Sequence, residues 1–419
     1  MKVYGLSPEE VSALFTEGMV EIAVYGLGKM GLPLAAVFAE RGARVTGVDI
    51  NQSVVDAVNR GVNHIKGEPM LDELVRRNVE AGRLRATTDA PGAAQRADVM
   101  VILVPVVLTP EKRPDLRALE SACRSIAQGI EEGDMVIVET TLPPGTTAGK
   151  VRSILESSGL RAGEDFGLAH CPERAMTGRV VRDIMGAYPK IVGGIDRRST
   201  EAAMGIYRAV NSRGVIPVAS ATTAEMVKVA EGVYRDVNIA IANELAIVSR
   251  KHGVNIWEVI RAANTQPYCN LHLPGAGVGG HCIPVYPWFI IDDDTRLLRT
   301  AREVNDSMSD YLVSRLEEML KREGERLEGN EIAVVGLTYR PGVKETYHSP
   351  ARLVIKHLRR RGARVYGYDP LLTEDEIRST MGVEPLNGGK VRWAVCLHSN
   401  GHEFGVKAER KIELRQIFS

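Results

Sequence analysis

The sequence predicts an α/β protein with two doubly wound parallel sheets, joined by a long central helix and a small helical region. Three observations lead to this prediction. A glycine-rich turn follows a strand-like run near residue 25, strand-like runs then alternate with helical stretches to residue 193, and a second βαβ pattern occupies residues 331–369. Such alternation is typical of parallel sheets covered by helices. The 419 residues suffice for two to three domains.

Charge and composition exclude several classes of protein. Lys and Arg number 53, as do Asp and Glu, so the net charge of zero gives no bulk attraction to nucleic acid or to an anionic membrane. The longest apolar run, residues 99–108, is broken by Pro105 and is too short for a bilayer. The five cysteines lack metal-site or disulfide spacing, and no signal segment opens the chain. We expect a cytoplasmic protein without metal, nucleic-acid partner or membrane.

A dinucleotide-binding pattern opens the first domain, which we place at residues 1–219 after a short helical lead. A buried strand at residues 20–25 precedes the glycine turn, an Ala-rich helix follows to residue 41, and a second strand ends at residue 48. Strand, turn, helix, strand and acid in this order predict a Rossmann-like NAD site, with the acid on the ribose. Cofactor contacts are expected at Gly26, Gly28, Lys29, Met30, Gly31 and Asp49.

Two later strand ends would lie at the carboxyl edge of this sheet, where ligands bind. Val106 and Thr141 follow the runs at residues 98–105 and 134–140. Thr141 could bond a cofactor or a water, or it could merely cap the next helix. Further strand-like runs lie at residues 166–170 and 190–193, and Cys171-Pro172-Glu173-Arg174 follows the first of them. The Glu173 and Arg174 pair is either catalytic or a surface ion pair.

A long apolar helix pattern from residue 222 to residue 253 begins the second domain, which we place at residues 220–300. Apolar residues cover much of its girth, which predicts burial between domains or at a dimer interface. Thr222 or Thr223 would cap it. Lys228 and Arg235 share one face of it, being seven residues apart. A lysine on a solvated face is the alternative for Lys228.

A glycine-rich loop that delivers a cysteine completes the second domain. Glycine lets a backbone approach a ligand closely, and Pro284 suits the first turn of a following helix, where a thiolate would be stabilised. The alternative is a tight turn beside a buried thiol. The loop reads Gly275-Ala276-Gly277-Val278-Gly279-Gly280-His281-Cys282-Ile283-Pro284.

The third domain, residues 301–419, begins with a connecting helix and repeats the βαβ plan without the glycine fingerprint.

Together these motifs resemble the nucleotide-sugar 6-dehydrogenases, a family that includes UDP-glucose and GDP-mannose dehydrogenases. The resemblance covers nearly the whole chain after residue 18, and the Gly-Gly-His-Cys form is similar to the branch that acts on UDP-N-acetylhexosamines. The motifs are the fingerprint at residues 26–31, Thr141, Pro172-Glu173-Arg174, Ala224-Glu225-Met226-Val227-Lys228, Gly279-Gly280-His281-Cys282-Ile283-Pro284, and Gly336-Leu337-Thr338-Tyr339-Arg340.

The resemblance implies a four-electron oxidation of a sugar C6 alcohol to a carboxylate with NAD, first of all on UDP-N-acetyl-D-mannosamine. UDP-glucose, UDP-N-acetylglucosamine and GDP-mannose remain open as substrates, and so does a non-catalytic protein that binds NAD and a nucleotide sugar. The resemblance also implies a homodimer or higher homo-oligomer. The implied roles are nucleophile for Cys282, oxyanion stabiliser for Lys228, base for Glu173, positioning for Thr141, and substrate contacts for Arg174, Ala175, Lys228, Arg235, Asn270, Gly277, Gly279, Tyr339 and Arg340.

The sequence departs from the family pattern at five positions. Gly232 stands where the family usually has Asn, four residues after the lysine, and Tyr286 stands where it has Asp, four residues after the cysteine. Val106 replaces a threonine after a strand, while Tyr347 and Tyr268 replace arginines. A tyrosine carries no carboxylate charge near neutral pH. These departures bear on rate and substrate more than on the class of reaction.

Overall fold

The computed structural model describes residues 2–386, 388–398 and 406–418. The chain forms two compact units, Met1–Ala230 and Glu231–Ser419. Each unit contains a sheet with helices packed on it, so the predicted α/β class is confirmed. Residues 231–300 belong to the same unit as the C-terminal sheet. The division into three domains therefore stays a prediction.

The first unit is built on an eight-stranded sheet with the order β3-β2-β1-β4-β7-β8-β9-β10 and a separate two-stranded antiparallel pair, β5 and β6. Its strands are β1 (Glu21–Tyr25), β2 (Arg44–Val48), β3 (Leu84–Thr87), β4 (Val99–Ile102), β5 (Val107–Leu108), β6 (Pro114–Asp115), β7 (Met135–Val138), β8 (Gly167–His170), β9 (Lys190–Gly194) and β10 (Val215–Pro217). The six strands from β3 to β8 are parallel and follow the dinucleotide-binding strand order.

The strand at the far side of this sheet corrects the all-parallel prediction. β9 runs antiparallel to β8, although β10 is parallel to β9. The segment between β8 and β9 contains one helix of seven residues, α8 (Val180–Gly186). Antiparallel neighbours need no long crossover connection, so this short segment is sufficient to join β8 to β9.

Helices cover both faces of the first sheet. They are α1 (Pro8–Thr16), α2 (Gly31–Glu40), α3 (Gln52–Asn59), α4 (Leu71–Glu80), α5 (Ala90–Arg96), α6 (Arg117–Ala127), α7 (Arg152–Leu155), α8 and α9 (Arg197–Val210), with a π-helical turn at Thr147–Val151 and a 3₁₀ turn at Glu156–Ser158. Within β1, Ile22 and Val24 enter one apolar core, and Ala23 and Tyr25 enter the other. This alternation explains why the strand is apolar throughout.

The second unit is built on a five-stranded, wholly parallel sheet with the order β13-β12-β11-β14-β15. Its strands are β11 (Glu331–Val335), β12 (Arg364–Tyr368), β13 (Glu384–Pro385), β14 (Lys390–Cys396) and β15 (Lys407–Glu413). Its helices are α11 (Ile256–Ala263), α12 (Arg296–Arg322), α13 (Pro350–Arg360), α14 (Glu374–Glu376) and α15 (Leu414–Ile417), with a 3₁₀ turn at Tyr286–Phe289 and a π-helical turn at Ile377–Met381. The predicted second βαβ plan is confirmed, and its sheet extends to residue 413.

One helix, α10 (Ala221–Lys251), runs through the boundary between the two units. The Ser220 hydroxyl accepts from the N–H of Thr223 at 3.1 Å, so Ser220 is the cap and the predicted Thr222 or Thr223 is wrong. Farther along, buried Asp236 accepts from Arg302 of α12 at 2.6 Å. A buried charge is stable only when it is paired, so this contact fixes α10 against α12.

Among the described residues, we find no helix with both the length and the apolar character that a membrane span requires.

Candidate active site

The turn between β1 and α2 has the shape of a pyrophosphate cradle. Gly26 has a φ of 95°, and a Cβ there would lie 2.5 Å from the carbonyl oxygen of Leu103, just beyond β4. A Cβ on Gly31 would overlap the carbonyl oxygen of Gly26, whereas a Cβ on Gly28 would meet nothing within 4 Å. Two of the glycines thus allow close packing, and the third leaves open space ahead of the helix N-terminus. These features fit the pyrophosphate of NAD.

The acid predicted to bind the ribose lies beside this turn. Asp49 follows β2, and one carboxylate oxygen accepts from the N–H of Leu27 at 2.9 Å while the other accepts from Asn51 at 2.9 Å. The carboxylate is therefore held against the glycine turn and remains partly exposed. Lys29 lies exposed on the turn, and Met30 is the residue at which α2 begins.

The ends of β4 and β7 lie at the same edge as the glycine turn. β4 pairs with β1 on one side and with β7 on the other, and the Thr140 hydroxyl donates to the carbonyl of Val104 at 2.9 Å. Val106 and Thr141 follow these two ends and are partly exposed. The next helical turn begins at Thr147, so the alternative that Thr141 caps a helix is wrong.

A buried carboxylate positions the segment that follows Thr141. Glu225 of α10 accepts from the N–H groups of Gly145 and Thr147, at 2.5 and 2.7 Å, and from the Thr147 hydroxyl at 2.6 Å. The sequence indicated Glu225 only as part of a helix start. Its partners lie about 80 residues away, so no local signal predicts the contact.

Glu173 lies where β8 ends, beside the end of β7. Its N–H donates to the carbonyl of Glu139 at 3.1 Å, and its carboxylate accepts from the N–H of Ala175. Burial raises the pKa of Glu173 above its ordinary value, and the positive charge of Lys228 opposes that rise. A glutamate of raised pKa beside a lysine suits general-base chemistry near neutral pH.

Lys228 is buried, with only 8% of its surface exposed, so the solvated-face alternative is wrong. It lies on α10, three residues after Glu225 and hence on the same side of the helix. Burial lowers the pKa of His170 to about 3, and the positive charges of Lys190 and Lys228 add to the effect. His170 is therefore neutral at physiological pH and leaves the positive charge to the lysines.

Arg174 and Ala175 line a cavity beside Glu173. The Arg174 guanidinium donates to the carbonyl of Pro189 at 3.1 Å and lies 5.0 Å from the centre of the Tyr188 ring. The Arg174 side chain thus contacts the segment that leads into β9.

The sequence analysis did not assign Glu139, Lys190 and Tyr207, which line the same cavity. Buried Glu139 accepts from Lys190 at 2.6 Å and from the Tyr207 hydroxyl. Glu139 is the first charged residue after the apolar run of β7, which is the one local signal of this cluster.

Cys282 is exposed, whereas Cys123, Cys171 and Cys396 are buried. Burial raises the pKa of Cys123 to about 12 and that of Cys396 to about 12, so those thiols are inert. The buried-thiol alternative for Cys282 is wrong. A 3₁₀ turn that begins at Tyr286 follows the Cys282 loop, so the α-helix expected to start at Pro284 does not form.

The glycines of the Cys282 loop permit close contact with the C-terminal part of the same unit. A Cβ on Gly279 would lie 2.7 Å from the carbonyl oxygen of His348 and 2.9 Å from Cβ of Tyr339. Gly277 has a φ of 135°, a conformation that side chains disfavour. These glycines therefore pack against protein, and the predicted sugar contact at Gly277 and Gly279 rests on their backbone groups alone.

A ring stack also holds the Cys282 loop. The imidazole of His281 lies parallel to the ring of Tyr347, with centroids 4.1 Å apart, and contacts Glu345 at 3.3 Å. Tyr347, one of the five departures, thus contacts the residue next to Cys282.

The remaining predicted substrate residues lie on the second unit. Arg340 donates to the Tyr339 hydroxyl at 2.9 Å, just after β11. The carbonyl of Asn270 accepts from Asn238 of α10 at 2.9 Å, and Arg235 is exposed on the same helix. Each is placed on a loop or helix surface that a substrate could reach.

No group of three or more His, Cys, Asp or Glu side chains in the described part of the chain could hold a metal ion.

The dinucleotide cradle and the buried Lys228 beside Glu173 in the first unit, and the exposed Cys282 in the second, are each features of an NAD-dependent dehydrogenase. Models of the NAD-binding, central and UDP-binding domains of the UDP-glucose/GDP-mannose dehydrogenase family match residues 20–211, 222–307 and 333–400. The chain belongs to this family, and it is a nucleotide-sugar dehydrogenase that uses NAD.

Named relatives are similar over most of the chain. The UDP-N-acetyl-D-mannosamine dehydrogenase of Pyrococcus horikoshii is 39% identical over 86% of this chain and 87% of its own length. The NDP-N-acetyl-D-galactosaminuronic acid dehydrogenase of Ralstonia nicotianae is 43% identical over 80% of this chain and 79% of its own. Among solved structures, a UDP-glucose dehydrogenase of Pyrobaculum islandicum has a TM-score of 0.84 at 29% identity, with 94% of this chain and 96% of that chain covered.

Proposed function

We propose that this chain oxidises the C6 hydroxymethyl group of UDP-N-acetyl-D-mannosamine to the carboxylate in two successive two-electron steps, through a thioester on Cys282. The observation that carries the proposal is the exposure of Cys282 on its glycine-rich loop, while three of the other cysteines are buried. The name of the Pyrococcus horikoshii relative supports the choice of sugar.

NAD, when bound, accepts one hydride in each oxidation. The residues that would hold it are those of the β1–α2 turn, Asp49, and the strand ends at Val106 and Thr141. The overall balance is one alcohol, two NAD⁺ and one water converted to one carboxylate, two NADH and three protons. The open space at Gly28 and the fixed carboxylate of Asp49 support this placement.

Cys282 carries the second oxidation in this mechanism. Its thiolate adds to the C6 aldehyde, forming an S–C bond, and the aldehyde oxygen takes up a proton to give a thiohemiacetal. Loss of a hydride from C6 and of a proton from its oxygen leaves a thioester. The nucleophile thus replaces direct oxidation of a hydrated aldehyde by two easier steps.

Lys228 and Glu173 supply charge and proton transfer. The ammonium of Lys228 stabilises the alkoxide in the first oxidation and the oxyanion of the later tetrahedral intermediates. Glu173, with its raised pKa, takes a proton from the water that cleaves the thioester and releases the thiolate. Thr141 holds that water or the reacting end of the cofactor in position.

The substrate contacts combine charge with backbone groups. Guanidinium groups suit phosphate geometry, so Arg174, Arg235 and Arg340 are assigned to the diphosphate or the sugar. The remaining contacts are assigned to Ala175, Asn270, Gly277, Gly279 and Tyr339.

Two relatives make other sugars specific alternatives. The Ralstonia nicotianae relative acts, by its name, on an N-acetylgalactosamine derivative, and the Pyrobaculum islandicum structure is of a UDP-glucose dehydrogenase. We expect kcat/KM to be highest for UDP-N-acetyl-D-mannosamine in a comparison with UDP-glucose, UDP-N-acetylglucosamine, UDP-N-acetylgalactosamine and GDP-mannose. A higher kcat/KM for any other sugar would reassign the substrate and leave the mechanism intact.

Replacement of Cys282 by Ala tests the covalent step. The variant should form no uronate, because it has no thiolate to add to the C6 aldehyde. Cys269→Ala is the matched control, since Cys269 is a partly exposed thiol in the same unit and should leave uronate formation unchanged. Uronate formation by Cys282→Ala at the wild-type rate would contradict the thioester mechanism. Tight sugar binding by the wild type without turnover would instead favour a non-catalytic binding protein.

A further inference from the structure

Two of the departures from the family pattern lie in contact within the second unit. Gly232 is buried on α10, and a Cβ there would lie 2.9 Å from Cδ2 and 3.3 Å from Cβ of Tyr286. Any side chain at position 232 would therefore displace the Tyr286 ring. The glycine and the tyrosine form a matched pair, in which the first makes room for the second.

The ring that Gly232 accommodates reaches the thiol. The Tyr286 hydroxyl donates to Sγ of Cys282 at 3.2 Å. The N–H of Tyr286 donates to the carbonyl of Cys282 at 2.9 Å, so the two residues lie one turn apart with their side chains on the same side. The ring also packs against Phe289, with centroids 5.7 Å apart. The hydroxyl is thus held at the sulfur by a backbone turn, an aromatic contact and the surface of α10.

We propose that Tyr286 is a catalytic residue of this chain, a hydrogen-bond donor that stabilises the Cys282 thiolate, and that Gly232 keeps it in position. The inference rests on the proposed function, because Cys282 must be the nucleophile. A hydrogen bond to a charged acceptor is about twice as strong as one to a neutral acceptor, so the bond favours the thiolate over the thiol. The thiol proton passes to solvent, and Tyr286 keeps its own proton.

The departure from aspartate changes the sign of this effect. A carboxylate next to the sulfur would repel the thiolate and disfavour it. A phenol hydroxyl is uncharged near neutral pH and donates a proton to the bond. The tyrosine therefore gives a larger thiolate fraction at a given pH than an aspartate in the same place.

The test measures alkylation of Cys282 by iodoacetamide as a function of pH, in a Cys269→Ala background that removes the second accessible thiol. Tyr286→Phe should move the midpoint of the profile up by about one pH unit. Alkylation should then be about threefold slower below the midpoint, where thiolate is scarce, and about threefold faster on the high-pH plateau, because a more basic thiolate is more nucleophilic. Loosening of the loop would accelerate alkylation at every pH.

Further variants separate the hydrogen bond from the fold. Tyr286→Asp should raise the midpoint more than Tyr286→Phe does. Gly232→Ala, which displaces the ring, should raise it in the presence of Tyr286 and add no shift in the Tyr286→Phe background. Tyr268→Phe, which removes a hydroxyl from a residue that is 93% exposed, should leave the profile unchanged.

An unchanged profile in both Tyr286→Phe and Gly232→Ala would overturn the proposal. If the wild type forms uronate through Cys282 and these profiles are unchanged, Tyr286 alone loses its role. If the profiles shift as expected but Cys282→Ala still forms uronate, the proposed function fails and the catalytic role of Tyr286 fails with it. Uronate formation through Cys282 together with the expected shifts supports both.

Discussion

At the scale of single residues, the first unit brings a carboxylate and an ammonium group together at the end of β8. Burial raises the pKa of Glu173, and Lys228 opposes that rise. A base must be deprotonated to act, so the step that it catalyses speeds up as the pH rises through this raised pKa. The acid limb of the rate profile should therefore lie above 4.5, the ordinary value for glutamate.

Replacement of Glu173 by Gln tests this assignment. The variant should lose the acid limb and lower kcat by about 10²- to 10⁴-fold, because water alone must attack the thioester. Both oxidations precede hydrolysis, so a burst of about two NADH per site should appear before turnover stalls. The acylated Cys282 should be visible in the intact mass of the protein.

The surface glutamate Glu164 provides the control for that experiment. It pairs with Arg161 on the exposed part of the same unit, and Glu164→Gln should leave the rate profile unchanged. An acid limb that persists in Glu173→Gln would contradict the role of Glu173 as base.

Residues that act through local backbone geometry could be predicted from the sequence, and residues that act through distant partners could not. The glycine turn and Asp49 form one continuous pattern in the sequence, so their spacing was sufficient to predict the dinucleotide-binding turn. Glu225 and Lys190 were not assigned, because their partners lie 80 and 51 residues away along the chain. Tyr286 was recognised as a departure, but its bond to Cys282 depends on the ring position set by Gly232.

At the scale of elements, the central helix α10 presents an exposed apolar stripe. Tyr234, Ile241 and Val248 are spaced seven residues apart, and 53%, 44% and 45% of their surfaces are exposed. Residues at this spacing share one face of a helix. The sequence predicted burial between domains or in a dimer, and the stripe supports the second of these. We therefore propose a homodimer through this face of α10.

Replacement of Ile241 by Glu tests the dimer. A charge buried without a partner costs about 3 kcal/mol or more, so dimer dissociation should become easier by at least about 100-fold. Sedimentation at micromolar concentration should then show a monomer for the variant and a dimer for the wild type.

Leu353 on α13 is the matched control, since its exposure of 41% is similar to that of Ile241. Leu353→Glu should leave the dimer intact. A monomeric wild type, or a variant at Ile241 that remains dimeric, would contradict the proposed interface.

The positions of elements were predicted well wherever a long pattern existed. The span of α10 is within two residues of the prediction at each end, because its apolar pattern is continuous. The short turn after Cys282 was not predicted, because one proline does not determine whether an α-helix or a 3₁₀ turn follows.

At the scale of the whole molecule, the same hydrogen-bond arrangement occurs in both units. Asp49 after β2 accepts from the N–H of Leu27, and Asp369 after β12 accepts from that of Leu337, each at 2.9 Å. Gly336, like Gly26, has a positive φ and would collide through a Cβ with the end of a neighbouring strand. The repeated βαβ plan was visible in the sequence, but the antiparallel β9 was not, because strand direction depends on long-range pairing.

The central claim is that one chain carries an alcohol to a carboxylate through a covalent thioester. The direct measurement is the number of NADH molecules formed for each UDP-N-acetyl-D-mannosamine consumed. The proposed mechanism predicts about two, with the uronate as product, and uronate formation should be lost on replacement of Cys282. About one NADH per sugar, with free aldehyde as product, would contradict it.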